Sequence, residues 1–219
     1  MLCARGMSVV CCLANTNLGF FLGDHGWFDK RFIYEDSIQM PLLLRYPRLT
    51  SLHAGSISKA IVTNIDFAPF WLNIAGLPIP SYMQGHSFLP LLSNSISTEE
   101  WNGTVQKVAY YRYWMHNDSP HEVRAHYGCR GERGKIVFWY NLSFGLPGTH
   151  PGNGEEEGEA GQEWELFDCV ADPLELVNLY AREECKDVVR EMRRLLEEKM
   201  GEVGDVPVHK PFSSSLASG

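Results

Sequence analysis

Apolar residues in the N-terminal half of the chain form short runs that are separated by polar turns. The runs of strand length cover residues 7–14, 41–45 and 59–62, and the runs of helix length begin near Tyr34 and span 67–75. Asp66 precedes the longer predicted helix as a candidate N-cap, and Gly76 ends it. Strands that alternate with helices favour the parallel sheet of an α/β domain.

The pattern changes after a polar stretch at residues 93–104, which has the composition of a linker. Three aromatic-rich runs, 108–114, 136–141 and 164–169, are separated by turns and predict an antiparallel sheet. A final helix is predicted because its apolar residues recur at helical spacing and form one stripe, which should lie on the sheet: Val188, Val189, Met192, Leu195, Leu196 and Met200. The predicted domains are therefore residues 1–93 and 105–201, followed by a tail at 202–219.

Composition narrows the class of protein. With 219 residues and 44% hydrophobic residues, the chain can bury a core of ordinary size. Its formal charge of −8 argues against nucleic acid as a partner, because phosphate binding needs a basic face. No apolar run approaches the roughly 18 residues of a membrane span, so none is expected. The six cysteines form no CxxC pair, which indicates neither a zinc knuckle nor a disulfide framework and leaves the cellular location open.

Candidate chemistry is concentrated between Gly19 and Pro47. This stretch holds two glycine turns, an Asp24-His25 pair and a Lys30-Arg31 pair directly before an apolar run. Polar groups crowded ahead of an apolar strand indicate a site at the edge of a sheet. Lys30 and His25 could hold a compact anion there, with the glycines allowing close approach of the backbone. The alternative is a tight turn whose charges are simply solvated.

The same stretch resembles the motif block of the type I, formylglycine-dependent sulfatases. Residues 22–26 read Leu-Gly-Asp-His-Gly, 27–31 read Trp-Phe-Asp-Lys-Arg, and 34–37 read Tyr-Glu-Asp-Ser. The resemblance, to arylsulfatases and N-acetylglucosamine-6-sulfatases, covers about residues 16–200 and includes these further segments: 63–69, 84–92, 127–136 and 164–179. It implies the C-terminal portion of an alkaline-phosphatase-like α/β sulfatase core, plus a small antiparallel-sheet subdomain with a packed C-terminal helix.

The resemblance also implies roles for individual residues. Lys30 matches the family lysine that contacts the sulfate group, and His25 is the second catalytic candidate. The C-terminal subdomain of the family lends residues to the substrate end of the cleft, so one or two of the histidines at 116, 121 and 126 should bind substrate, together with Arg130. Of these, His116, His126 and Arg130 are the predicted substrate-binding residues. The open alternatives are an ion pair of Lys30 with Asp24 or Asp29, loop positions for the histidines, and a structural ion pair for Arg130.

Several catalytic motifs of the family have no counterpart in this sequence. The nucleophile of the family is a formylglycine made within Cys/Ser-x-Pro/Ala-x-Arg, and no such motif with a cysteine occurs here. The Asp-Asp pair that binds calcium in the family is also absent. Residues 16–19 read Thr-Asn-Leu-Gly where the family has Ser-Asp-Gln-Gly. Asn17 can offer one oxygen but Leu18 none, which predicts an incomplete Ca²⁺ site.

Three functions remain open at this point. The chain could represent the C-terminal part of a sulfuric ester hydrolase for sulfated sugars, inactive alone. It could instead be a non-catalytic module that binds an anion or a sulfated glycan. The third alternative is a related phosphoesterase, because such enzymes share the fold. The expected partner is a sulfated small molecule or glycan, and an exposed sheet edge would favour association.

Overall fold

The computed structural model describes residues 10–12, 19–46, 55–119, 121–142 and 161–209. The strands are β1 (Val10–Cys12), β2 (Phe21–Leu22), β3 (Phe28–Asp29), β4 (Leu43–Arg45), β5 (Ala109–Tyr113), β6 (His126–Arg130), β7 (Gly134–Trp139) and β8 (Glu163–Asp168). The α-helices are α1 (Glu35–Ile38), α2 (Phe67–Ile74), α3 (Leu89–Leu92), α4 (Thr98–Glu100) and α5 (Lys186–Val203). No helix in these ranges is long and apolar enough to cross a membrane.

The chain divides into two compact units. The first unit comprises residues 1–17 and 40–107, and the second comprises residues 18–39 and 108–219. The predicted linker at 93–104 lies close to one of these divisions. The stretch with the candidate chemistry, however, belongs to the same unit as the C-terminal sheet.

In the first unit, β1 and β4 pair antiparallel, with Cys11 opposite Leu44. The expected parallel sheet is not formed by the described strands, since every strand pair among them is antiparallel. A parallel pair needs a crossover connection, usually a helix packed on the same sheet. Here residues 18–39 between β1 and β4 are part of the second unit instead, which leaves β1 and β4 without such a crossover.

Aromatic side chains form the core of the first unit. Phe70, Phe88 and Trp101 are buried, and the rings of Phe70 and Phe88 stack with centroids 4.0 Å apart. The indole N–H of Trp101 donates to the carbonyl of Ile61 over 2.8 Å. Because side chains take the hydrogen bonds of this stretch, residues 59–62 form no strand, and the strand predicted there is wrong.

Asp66 directly precedes α2 at the N-cap position, as predicted, but its side chain makes no capping hydrogen bond to that helix. The capped element is the preceding 3-10 turn Asn64–Asp66, whose N-cap is Thr63. The buried Asp66 carboxylate accepts hydrogen bonds from the Thr63 N–H over 2.7 Å and from the Thr63 hydroxyl over 2.8 Å. It also accepts one from the N–H of His86 over 2.7 Å. Asp66 is therefore the partner in a capping box, and it ties a distant turn to the helix start.

The second unit contains an antiparallel sheet in the order β5-β6-β7-β8, covered by α5. Both the sheet and the packed helix were predicted from the sequence and are confirmed, except that Val188 of the predicted stripe is 49% exposed. Met192, Leu196 and Met200 of α5 are buried against the sheet, and Gly204 ends the helix in the left-handed conformation. The described start of the predicted tail is also fixed to the sheet, because the Asp205 carboxylate accepts hydrogen bonds from Tyr110 and Arg112 over 2.5 and 2.6 Å.

Both faces of this sheet are buried. Alternate residues of β7 point to opposite sides: Ile136 and Phe138 belong to the core under α5, whereas Val137 and Trp139 belong to a second core. The second core is completed by residues 19–38, which we call the motif segment, through these side chains: Phe21, Phe32, Ile33 and Tyr34. The sheet therefore carries the motif segment on one face and α5 on the other.

Candidate functional site

The motif segment begins with a tight hairpin. Strands β2 and β3 pair antiparallel, and the intervening turn contains three residues with positive φ: Gly23 (123°), His25 (53°) and Gly26 (74°). Gly19 passes so close to α1 that a Cβ atom there would lie 1.8 Å from the carbonyl oxygen of Asp36. Its N–H donates to the carbonyl of Ser37 over 2.7 Å. Glycine is required at this position because the hairpin is held against α1 by the backbone itself.

The ring of His25 belongs to an aromatic cluster. It stacks on Tyr34 with centroids 4.6 Å apart and contacts the edge of Phe21 at 6.0 Å. These contacts fix the turn of the hairpin to the rest of the motif segment. The catalytic role suggested for His25 stays a prediction.

Lys30 lies between two residues with unusual backbone conformations. Asp29 has φ 85° and Arg31 has φ 97°, and neither is glycine. Such conformations cost about 1–3 kcal/mol each and persist only where neighbouring contacts impose them. Within the part of the chain that the structure describes, no hydrogen bond or ion pair involves the Lys30 ammonium. The alternative ion pair with Asp29 is not formed, since Asp29 contacts Nε2 of His121 at 3.2 Å.

Contacts at Arg31 explain how the strained backbone is held. The Arg31 N–H donates to Oγ of Ser37 over 3.2 Å, and its carbonyl accepts a hydrogen bond from the Tyr111 hydroxyl over 2.8 Å. The guanidinium forms an ion pair with Asp118 and donates to the Tyr113 hydroxyl over 3.3 Å. Main chain and side chain of Arg31 are thus both fixed, the latter by the connection between β5 and β6.

The next residues of the motif segment are fixed by a buried lysine. Lys135 of β7 has no exposed side-chain surface, and its Nζ lies 2.7 Å from Oε1 of Glu35 and 2.6 Å from Oε1 of Glu175. It also donates to the carbonyl of Ile33 over 2.8 Å. Three acceptors therefore match the three donors of the ammonium. Burial alone would raise the pKa of Glu35, but Lys135 and Arg130 outweigh burial and hold that pKa below its usual value.

A partly buried carboxylate, that of Glu165, anchors Tyr34. The Tyr34 hydroxyl donates to Glu165 over 3.0 Å, and the indole N–H of Trp139 donates to the same carboxylate over 2.9 Å. Burial raises the pKa of Glu165 and that of the Tyr34 hydroxyl. Four residues that follow Lys30 are thus fixed to the sheet or its loops: Arg31, Ile33, Tyr34 and Glu35. Lys30 therefore lies at the end of a segment that is held by many contacts.

The predicted substrate-binding residues are engaged within the protein. Arg130 forms an ion pair with Glu35, with Nε 3.3 Å from Oε1. A structural ion pair was the alternative to substrate binding that the sequence left open for Arg130. His116 is fully buried and accepts a hydrogen bond from the N–H of Ala125 over 3.2 Å. The structure does not bring these two side chains together with Lys30 through any contact in the described ranges. Their substrate-binding role stays a prediction.

His126 is also fully buried. Its Nδ1 hydrogen-bonds to the carbonyl of Arg124 over 2.8 Å, and its ring lies 4.4 Å from that of Trp139. Burial lowers the pKa of His126 to about 4, so the imidazole is neutral near neutral pH. The Nε2 atom is buried without a hydrogen-bond partner among the described residues. The ring packs on the core beneath the motif segment, and its role towards substrate stays a prediction.

One cluster in the described residues has the composition of a metal site. Ligand atoms of Glu35, Cys169 and Glu175 lie within 4.8 Å of one another. The Lys135 ammonium already contacts both carboxylates, and burial raises the pKa of the Cys169 thiol to about 12, so the thiol is neutral. This cluster does not fit a cation. Asn17, the predicted calcium ligand, lies outside the described residues.

The functional residues that sequence reasoning missed are the anchors. Asp118 lies in none of the segments that resemble the family, and Glu175 lies in one of them, 164–179, where nothing in the sequence marks it as a partner of Lys135. Lys135 does leave a signal, since it is a lysine within the otherwise apolar run of β7. A lysine on a buried strand needs acidic partners, and Glu35 is one of the four acidic residues of the motif segment.

Comparison with known proteins identifies the family. Residues 23–144, more than half of the chain, match the family described as N-sulphoglucosamine sulphohydrolase, C-terminal. An N-acetylglucosamine-6-O-sulfatase of Bacteroides thetaiotaomicron is 40% identical over 191 residues, which are 87% of this chain and 30% of that protein. The matched region includes residues 23–38 of the motif segment, Asp118 and Lys135.

Solved structures agree with this match. A protein in complex with its substrate D-glucosamine-2-N,6-O-disulfate has a TM-score of 0.71 at 39% identity, over 89% of this chain and 35% of that one. The phosphonate monoester hydrolase of Agrobacterium radiobacter has a TM-score of 0.59 over 82% of this chain and 33% of that one, and its 21% identity shows a shared fold alone. The chain spans about a third of the length of these relatives. The predicted alkaline-phosphatase-like fold is confirmed, and the chain belongs to the sulfatase family, whose C-terminal region it matches.

Proposed function

We propose that the chain supplies the lysine side of a sulfate-binding site in an enzyme that hydrolyses sulfate esters of amino sugars. The observation that carries this proposal is the state of Lys30. Its ammonium has no carboxylate partner in the described ranges, while the charged residues on either side, Asp29 and Arg31, are both paired. An unpaired cation on a rigid, strained segment is suited to an anionic ligand.

The relatives support an amino sugar as the substrate class. The 40% identical protein is described as an N-acetylglucosamine-6-O-sulfatase, and the 39% identical one was solved with a disulfated glucosamine as its substrate. Both matches extend over more than four-fifths of this chain. A glucosamine that carries a 6-O-sulfate is therefore the ligand we assign to the site.

We further propose that this chain alone binds but does not hydrolyse the ester. The sequence contains no cysteine in the Cys-x-Pro/Ala-x-Arg pattern of the family nucleophile. The two buried cysteines of the second unit, Cys129 and Cys169, have pKa values raised by burial and are neutral thiols. The cluster of Glu35, Cys169 and Glu175 does not fit a cation, and we assign no step to a metal.

Binding of D-glucosamine 6-sulfate by the 219-residue chain tests the proposal. In an NMR titration, Lys30→Ala should weaken binding about tenfold or more, because a charge-assisted hydrogen bond contributes roughly 1.5–3 kcal/mol. Lys59→Ala, which removes an exposed lysine from the first unit, is the matched control and should bind like the wild type. Equal affinity in wild type and Lys30→Ala would overturn the assignment. Tighter Lys30-dependent binding of glucosamine 6-phosphate would instead favour the phosphoesterase alternative.

A further inference from the structure

We propose that Asp118 is a positioning residue, which sets the direction of the Lys30 side chain by holding Arg31. The inference rests on the proposed function of Lys30 and adds a residue that the family motif does not contain. Asp118 acts through its neighbour and needs no contact with the substrate. His121 contacts Asp29, the residue on the other side of Lys30, and is proposed to act together with Asp118.

The connection between β5 and β6 reaches both neighbours of Lys30. Asp118 forms an ion pair with Arg31, and His121 contacts Asp29 at 3.2 Å. The two loop residues are held together by a turn in which the N–H of His121 donates to the Asp118 carbonyl over 2.9 Å. Residues of one short turn therefore contact both sequence neighbours of Lys30.

Asp118 is itself firmly held. It is only 5% exposed, and its Oδ1 accepts a hydrogen bond from the Tyr113 hydroxyl over 2.7 Å while Oδ2 contacts Arg31. Burial raises the pKa of Tyr113, and the hydrogen bond to Asp118 raises it further, so the phenol keeps its proton and donates. Since Tyr113 is the last residue of β5, the carboxylate is tied to the sheet.

The backbone at Lys30 depends on these contacts. Asp29 and Arg31 both have positive φ, which side chains other than glycine adopt only when their surroundings impose it. Removing the Asp118 carboxylate takes away the ion-pair partner of the Arg31 guanidinium and leaves the positive φ of Arg31 to the weaker contacts with Ser37, Tyr111 and Tyr113. A change of φ at Arg31 or Asp29 redirects the peptide units that carry Lys30, and its ammonium moves with them.

The rest of the motif segment keeps its anchors when Asp118 is removed. Ile33 and Glu35 remain bound to Lys135, and Tyr34 remains bound to Glu165. A role in positioning therefore predicts loss of the Lys30 geometry in a chain that still folds. A purely structural role would instead lower stability and leave the surroundings of Lys30 unchanged.

The test measures the chemical environment of the Lys30 side chain directly. In protein labelled with ¹³C-lysine, the Lys30 Cε signal is assigned by its loss in Lys30→Arg, and binding of D-glucosamine 6-sulfate is titrated in parallel. We expect Asp118→Ala to shift that signal and to weaken binding about tenfold, as loss of a placed charge should. Asp118→Asn keeps an acceptor for Tyr113 and should give an intermediate result. Asp187→Ala, which breaks an exposed ion pair on α5, is the matched control and should change neither.

The outcomes separate this inference from the proposed function. If wild type and Lys30→Ala bind the sugar equally, the proposed function fails. The Lys30 Cε signal then tests positioning by itself: a shift in Asp118→Ala supports it, and an unmoved signal overturns it. If the wild type binds through Lys30 but Asp118→Ala shows an unmoved signal and unchanged affinity, positioning is overturned and the function stands. Should Asp118→Ala not fold, Tyr113→Phe and Asp118→Asn carry the test, and an unmoved signal in both would overturn it.

Discussion

At the scale of single residues, Lys135 is a buried charge that fixes the motif segment to the sheet without belonging to the proposed sulfate-binding site. Its ammonium has three acceptors, of which two are carboxylates, and its side chain is fully buried. The pair of carboxylates, Glu35 and Glu175, would repel each other without it. The lysine thereby makes the acidic start of α1 compatible with burial against the sheet.

Replacing Lys135 by methionine should therefore destabilise the protein strongly. The buried Glu175 would lose its counter-charge and the partly buried Glu35 would keep only Arg130, and breaking a buried pair from one side costs about 3–5 kcal/mol. Urea unfolding of Lys135→Met at pH 7 measures this loss, with Lys186→Met on the exposed start of α5 as the control. A midpoint equal to that of the wild type would contradict the argument.

The same network has a defined dependence on pH. The folded-state pKa of Glu35 is lowered, so its ionised form stabilises the fold above the usual value of 4.5, and this contribution is lost as the pH falls through the lowered value. The stability difference between wild type and Lys135→Met should hence shrink in acid. A difference that grows below pH 4.5 would show that the carboxylates are not its source.

At the scale of elements, the contact between the motif segment and the sheet depends on the small size of one strand residue. A Cβ atom on Gly128 of β6 would lie 2.9 Å from Cδ1 of Ile33 and 2.1 Å from the carbonyl oxygen of Ile136. The absence of a side chain lets Ile33 pack directly on β6. Gly134 in the adjacent strand is different, because a Cβ there would meet only the flexible side chain of Met192, at 3.2 Å.

Gly128→Ala should accordingly destabilise the second unit by about 1–3 kcal/mol, the usual cost of overpacking a core. Gly134→Ala is the matched control and should cost clearly less, since the end of a methionine side chain can move. Thermal unfolding of the two variants beside the wild type measures the difference. Equal losses in both would mean that packing of Ile33 on β6 is not the reason for the glycine.

Periodicity predicted the elements that have one buried stripe or an aromatic-rich run, namely α5, β5, β7 and β8. It could not predict what covers the second face of β7, because a strand buried on both sides reads as a continuous apolar run. β6 was not predicted as an apolar run, since histidine, glycine and arginine interrupt it. The position of Lys30 followed from the motif, whereas the ion pairs of Asp118 and Lys135 depend on tertiary contacts that no local pattern encodes.

At the scale of the whole molecule, the proposed function gives the chain a lysine that holds a sulfate, whereas its sequence contains no cysteine in the motif of the family nucleophile. Orientation lowers a barrier only if a nucleophile is present to be oriented. We therefore expect the 219-residue chain to hydrolyse 4-nitrophenyl sulfate no faster than its Lys30→Ala variant, with or without added calcium. Release of nitrophenol measures this directly. Turnover that depends on Lys30 would contradict it.

The surface of the β2–β3 hairpin bears on the expected association of the chain. Leu22 and Phe28 are 72% and 70% exposed, and Phe20 and Trp27 beside them are 46% and 40% exposed. Exposed apolar side chains in such density favour contact with other surfaces. Association through a sheet edge, as expected from the sequence, stays a prediction.

The interleaving of the two units along the chain has a consequence for folding order. Residues 18–39 belong with 108–219, so the second unit is discontinuous, and residues 40–107 are an insertion between its two parts. Its contacts, such as that between Ile33 and Lys135, join positions about a hundred residues apart. Loop closure of that length slows folding. A shorter chain that began at the apparent boundary near residue 105 would also lack the cover of Val137 and Trp139, leaving one face of its sheet bare.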